Sequence, residues 1–329
     1  MKKFLLISLW FLSLILAIFY FYENPEKIDT VKNYFSNNKK TYVQAEQGEL
    51  QRSPGNSFIV EFSKVVSFSE KTSFIVHNEN DSNFQKSSLK IYTQSGYLIN
   101  DLKYTELNLP NSFTSKKNGG IKNIFIHNGI EFALISSLQN DCYYASIVLL
   151  SAGKELLKTK CLPEGYVDFN GLGSSSIHHN NKIFLSIGAP EQRSNKIAEL
   201  AQNDNSLFGK IIEISKNDLD SIISNKKESL EAKIFTKGHR NPQGLTKINE
   251  SFFSVEHGPR GGDELNKIIK NKNYGWPAVS YGTKYFYDTE TKSYEISHEN
   301  NEYEEPLFAH VPSVGISSLN NCPTILKNY

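Results

Sequence analysis

Apolar and polar residues alternate along most of this chain in short runs, and turn formers separate the runs. "SFIVEF", "TSFIVH", "LKIYTQSGYLI", "NIFIHNGIEFALISS", "KIFLSIG", "GKIIEI" and "SFFSVEHG" read as β-strands. Asn-Gly, Ser-Gly or Asn-Asn pairs divide several of them, as tight hairpin turns require. Helical periodicity is confined to "SNKIAELAQ" and "KNDLDSIISN". The pattern predicts an all-β chain. Short, evenly spaced strands suit a large sandwich or a β-propeller, whose four-stranded blades would recur roughly every 40 to 50 residues. No strict repeat signature such as Trp-Asp is present.

The start of the chain departs from this rhythm. Lys2 and Lys3 precede an uncharged run from Phe4 to Tyr22, "FLLISLWFLSLILAIFYFY". A helix of about 20 such residues crosses most of a bilayer. The lysines favour a cytoplasmic N-terminus, with everything after residue 22 on the periplasmic or extracellular side. A cleaved signal peptide is the alternative, but no Ala-x-Ala pattern precedes Glu23, which favours a retained anchor. Residues 23–55, rich in Asn, Lys, Ser and Gln, read as a polar tether to a propeller over 56–329.

Composition narrows the function. Basic and acidic residues nearly cancel, 36 against 35, so no overall field favours nucleic acid as a partner. Function must come from a local site. Of the three cysteines, Cys142 and Cys161 flank two strand-like runs around a Ser-Ala-Gly turn, so a hairpin centred near 151–153 would bring them together. A disulfide there suits an oxidising compartment. Two buried free thiols are the competing reading, because sequence does not show connectivity. Cys322 is left over.

"GHRNPQGL", residues 238–245, crowds polar chemistry before the strand "LTKI". After the turn "NES", "FFSV" runs back and ends in "EHGPRGGDELN", residues 256–266. A hairpin returns its chain to the end where it began, so residues 239–244 and 256–263 should lie side by side. Together they offer a guanidinium, carboxamides, a histidine and glycine-rich backbone whose carbonyls are free to point outward. Such hard oxygens suit calcium.

These two motifs, followed by "NYGWPAVSYG" at 273–282, resemble the soluble pyrroloquinoline quinone (PQQ) dependent sugar dehydrogenases, the glucose/sorbosone dehydrogenase family. Looser similarity runs from about residue 120 to "PSVGIS" at 312–317. The resemblance implies a six-bladed β-propeller, a PQQ cofactor with catalytic calcium, a sugar substrate and an external electron acceptor. It implies that Arg240 and Asn241 contact the quinone, with Arg240 stabilising negative charge at the reactive carbonyl. His257 faces the cofactor, and Ser313 joins the cofactor-binding set. Backbone carbonyls of Gly258 and Pro259 would hold calcium, while Asp263 and Glu264 would brace this loop or bind further calcium. Trp276 and Tyr281 read as packing residues.

The departures matter as much. Family members carry a histidine shortly before the strand matched by "KIFLSIG", and it takes the sugar hydroxyl proton as hydride passes to the quinone. Ungapped counting puts Asn170 there, and a shift of one puts Gly171 there. Neither is a base, and losing one costs about 10²- to 10⁴-fold in rate. The family's neighbouring arginine is also absent, with Ser174 or Ser176 nearest. His178 and His179, beside Asn180 and Asn181, read as solvated turn residues. "GLGSSS" at 171–176 lacks the third glycine and the helix of a dinucleotide site. The family's basic residues beyond "PSVGIS" have no counterpart before Tyr329, which implies a propeller incomplete at its C-terminus. The expected function is PQQ- and calcium-dependent oxidation of an aldose. The alternatives are a non-catalytic, calcium-stabilised propeller binding sugar, polymer or protein and, more weakly, a lactonase-type hydrolase.

Overall fold

The computed structural model describes residues 51–52, 59–60, 72–76, 90–100, 103–163, 167–190, 195–284, 298 and 302–321. The expected membrane helix at 1–22, nearly all of the tether and Cys322 lie outside the described residues. Among the described residues no helix is long and apolar enough to cross a membrane. The chain forms two compact units, Met1–Ser69 and Glu70–Tyr329. In the first, β1 (Gln51–Arg52) pairs antiparallel with β2 (Ile59–Val60).

The second unit is built from four antiparallel four-stranded sheets, each made of strands consecutive in the chain. The first holds β3 (Thr72–Val76), β4 (Lys90–Thr93), β5 (Tyr97–Asn100) and β6 (Lys103–Glu106). The second holds β7 (Ile121–His127), β8 (Ile130–Gln139), β9 (Cys142–Leu149) and β10 (Lys154–Lys158). The third holds β11 (Ser176–His179), β12 (Lys182–Ile187), β13 (Lys210–Ser215) and β14 (Lys233–Lys237). The fourth holds β15 (Pro242–Ile248), β16 (Ser251–Glu256), β17 (Asp263–Ile268) and β18 (Phe308–His310). Two short helices, α1 (Asn195–Ala198) and α2 (Lys216–Ile223), fall on the two helical patterns.

Strand alternation explains how the sheets pack. Successive side chains point to opposite faces, so a strand buried on both faces reads as a continuous apolar run. On β8, Phe132 and Leu134 enter a core with β12 and β13 of the next sheet, while Ala133 and Ile135 enter another with Tyr92 of the first. On β12, Ile183, Leu185 and Ile187 face back toward the second sheet, while Phe184 meets Phe235 and Phe252 on the fourth sheet's side. Each inner sheet is therefore sandwiched by its neighbours in sequence. The Asn128-Gly129 turn between β7 and β8 has both residues at positive φ, 50° and 77°, which a two-residue hairpin of this twist requires.

Cys142 and Cys161 are bonded, with Cα atoms 5.3 Å apart, across the hairpin of β9 and β10. One local reading is corrected. His178 and His179 end strand β11 rather than lying in the turn, which Asn180 makes at a φ of 50°. His178 is exposed, and His179 packs edge-on against Phe252 at 5.4 Å.

Candidate functional site

The β15–β16 hairpin does bring the two polar stretches together. His257 N–H donates to the Asn241 carbonyl at 3.1 Å, and Arg240 N–H donates to Glu256 Oε2 at 2.7 Å. Arg240 Nη1 reaches the carbonyls of His257 at 3.1 Å and Gly258 at 2.8 Å. Its guanidinium lies over the Trp276 ring, 5.2 Å from the centroid, so Trp276 packs beneath the site.

A third segment, 168–173, is pinned against this hairpin. Gly173 N–H donates to Asn241 Oδ1 at 2.8 Å, Gly188 N–H to Gly173 O at 2.9 Å, and Ala189 N–H to Arg240 O at 2.8 Å. The approach leaves no room for a side chain at Gly188, where a Cβ would stand 2.1 Å from the Gly171 carbonyl. The fourth segment is 313–316. Asp263 Oδ1 accepts from Gly258 N–H at 3.2 Å and Ser313 Oγ at 2.8 Å. Its Oδ2 accepts from the N–H groups of Val314 at 3.1 Å, Gly315 at 2.8 Å and Ile316 at 3.2 Å.

These segments frame a cavity of about 210 Å³. Asn170, Arg240, Asn241, His257, Gly258, Pro259, Asp263 and Ser313, all singled out from the sequence, line it. Asp168, Gly171 and Gly315 complete the lining. Glu264 does not line it and lies buried behind. Asp168 is the residue that sequence reasoning missed. It is 5% exposed, it caps the 3₁₀ turn Phe169–Gly171 by accepting Asn170 N–H at 2.9 Å, and it accepts Asn118 Nδ2 at 3.1 Å. The local "DFN" is an aspartate-capped turn, the one signal in the sequence that could have pointed there. Asn170 sits exposed at the rim.

Behind the cavity runs a buried polar chain. His239 Nδ1 meets Glu256 Oε1 at 2.9 Å and its Nε2 meets Thr236 Oγ1 at 2.9 Å, while Asn266 Nδ2 bridges Glu256 at 2.9 Å and Glu264 at 3.2 Å. Burial alone would push the Glu256 carboxyl up, but His239 and the Arg240 N–H outweigh it and hold it below the usual carboxylate range. Burial, then the Glu256 charge, push Glu264 up to about 8. Its hydrogen bond with Asn266 suits a brace for this loop.

The donor set can be tested against the two groups the motifs imply. For calcium, the Gly258 carbonyl accepts from Arg240 and both Asp263 oxygens are engaged. Among the described residues no cluster of three His, Cys, Asp or Glu could hold a metal. Calcium takes six to eight oxygens, more than the Gly258 and Pro259 carbonyls alone supply. For a quinone bearing carbonyls and carboxylates the fit is better. Arg240 Nε and His257 Nε2 are buried nitrogens with no partner among the described residues, and both residues line the cavity. A buried donor without a partner costs about 1–3 kcal/mol, which an acceptor oxygen would relieve.

Residues 168–322, which carry the whole site, match the family model described as Glucose / Sorbosone dehydrogenase. The chain resembles the PQQ-dependent sugar dehydrogenases over this stretch. Among individual relatives, it is 32% identical over 147 residues to aldose sugar dehydrogenase YliI of Escherichia coli K12, covering 42% of this chain and 36% of that protein. It is 32% identical over 138 residues to quinoprotein glucose dehydrogenase B of Acinetobacter calcoaceticus, covering 33% and 28%. An uncharacterized Synechocystis protein is 42% identical over 97 residues, covering 28% and 23%. The matches thus span well under two thirds of these curated relatives. The structure superposes on the soluble aldose sugar dehydrogenase from Escherichia coli in its apo-form with a TM-score of 0.56 at 22% identity, covering 76% of this chain and 74% of that one. The all-β fold of four-stranded sheets is therefore the fold of those dehydrogenases.

Proposed function

We propose that this chain is a PQQ-dependent dehydrogenase of an aldose sugar, on a six-bladed propeller of which four sheets are described. The observation that carries the reading is the cavity where the 238–245 and 256–266 motifs meet, with Arg240 Nε and His257 Nε2 both without partners among the described residues. When bound, PQQ supplies a two-electron hydride acceptor. Arg240 would hold a quinone oxygen through Nε and stabilise negative charge there, its guanidinium fixed by the Gly258 carbonyl and the Trp276 face. Asn241 keeps the cavity wall in register through Gly173, and His257 binds a second oxygen of the cofactor. No step is assigned to calcium. An external acceptor removes the electrons. The Cys142–Cys161 bond supports an exported protein, held at the membrane by residues 1–22.

The test is absorption titration of the purified chain with PQQ, with and without calcium, followed by dye-linked oxidation of aldoses. Saturable uptake that Arg240→Ala abolishes is expected. Absence of uptake under both conditions refutes the reading. Asn170, at the position of the family's histidine, favours a second reading, a propeller that binds cofactor or sugar without turnover; uptake with no turnover would select it.

A further inference from the structure

The proposed reaction requires a proton acceptor, and Asn170 is not one. Four side chains lining the cavity titrate or carry charge, namely Asp168, Arg240, His257 and Asp263. Arg240 has no lone pair to offer, and Asp263 has both oxygens engaged by five donors. His257 stands on the Arg240 side, where the dehydrogenase reading gives its unpartnered Nε2 to a cofactor oxygen. Asp168 stands on the other wall, in the segment where the resemblance locates the missing histidine and two residues before Asn170. Its carboxylate is buried, lines the cavity and is held on Oδ1 alone by Asn118 and the Asn170 N–H.

Resting on the dehydrogenase reading above, we infer that Asp168 is the catalytic base of this chain and does the work of the absent histidine. With PQQ bound as the two-electron acceptor, the C1–H bond of the sugar would break with its electron pair passing as hydride to that acceptor. The C1 hydroxyl loses its proton to the Asp168 carboxylate, and the C–O bond becomes a carbonyl. The sugar is oxidised to its lactone. The 3₁₀ turn holds the carboxylate against the cavity while Arg240 meets the charge developing at the far wall.

Asp168→Asn isolates this role, because an amide oxygen keeps both hydrogen bonds to Oδ1 and hence the turn. The melting temperature and PQQ uptake of D168N should match the parent, while turnover falls about 10²- to 10⁴-fold. Adding Asn170→His to D168N should then recover at least about tenfold, a rescue that a purely structural aspartate would not permit. D168N turnover within about threefold of the parent, no recovery on adding N170H to D168N, or a parent that binds PQQ without turnover each overturn the assignment. A parent that takes up no PQQ brings down the dehydrogenase reading itself, and the assignment with it.

Discussion

Asp263→Asn is the substitution whose consequence can be worked most fully from the structure. The carboxylate is 1% exposed and ties the Gly258 loop to the 313–316 segment through five hydrogen bonds, two on Oδ1 and three on Oδ2. Asparagine has one acceptor oxygen. Turned to keep the three N–H groups, it points its amino group at the Gly258 N–H, donor against donor, while the Ser313 hydroxyl can rotate to accept. One buried N–H is then unpaired, at about 1–3 kcal/mol, and the remaining bonds fall from charge-assisted to neutral strength. The sum is about 3–5 kcal/mol. For a unit of this size that is a drop of roughly 6–12 °C in melting temperature.

The same carboxylate gives the effect a pH signature. Burial alone would push it up, but hydrogen bonds from Ser313 and from the Ile316 and Gly315 N–H groups outweigh this and hold it below the usual carboxylate range. A group with a depressed folded pKa stabilises above its unfolded value, about 3.9 for aspartate, and loses that contribution as pH falls through the folded value. The parent should therefore lose stability on acidification below about pH 4, and D263N should lose less. Thermal melts from pH 3 to 8, with hydrogen exchange of the Gly315 and Ile316 amides, measure both effects. A variant melting within about 2 °C of the parent at pH 7, with both amides still protected, would refute the clamp.

Three other outcomes are expected. Glu264→Gln should flatten the pH dependence of stability: a carboxyl raised to about 8 when folded contributes fully below its unfolded value and loses that contribution as pH rises through about 8, so melts from pH 5 to 9 should converge at the acid end and favour the variant above pH 8; parallel curves would contradict this. Gly188→Ala places a Cβ 2.1 Å from the Gly171 carbonyl and should lower stability by about 1–3 kcal/mol while abolishing PQQ uptake, so unchanged uptake would show that the 171–173 wall is not needed. Replacing Cys142 and Cys161 together by serine opens a loop of sequence separation 19 and should lower the unfolding free energy by about 3 kcal/mol in denaturant titrations; an unchanged midpoint argues against the constraint.

Much of this was legible from local rules. Alternation and the Asn128-Gly129 turn gave the second sheet, and hairpin return alone placed Arg240 beside Gly258 and Cys142 beside Cys161. What stayed hidden depends on contacts between distant segments. Asp168 meets Asn118 across 50 positions, and Asp263 gathers the amides of residues 314–316 from 51 to 53 positions away. Nothing in "GKIIEI" announces that Lys210 is fully buried, with its ammonium bonded to the carbonyls of Leu200, Ala201 and Phe208. Nor does "DELN" reveal that the Glu264 carboxyl is pushed up, since that takes both burial and the charge of Glu256 on the neighbouring strand. The motif also suggested free carbonyls at Gly258, whereas the guanidinium folds back onto them.

The distribution of these contacts shows which positions of the cavity wall the fold fixes and which it leaves free. The walls are joined chiefly by main chain: Ala189 to Arg240, Gly188 to Gly173, His257 to Asn241 and Gly262 to His310. Where the walls touch most closely, the requirement is the absence of a side chain, at Gly173 and Gly188. Asn170 meets neither requirement, because its side chain is exposed at the rim and its backbone N–H is held by Asp168 whichever residue carries it. The identity of residue 170 is therefore nearly free of folding constraint. Arg240, by contrast, closes two carbonyls and covers Trp276, so its removal would leave buried acceptors unpaired. A substitution at 170 should therefore leave the fold and the cavity wall in place, whereas one at Arg240 should not.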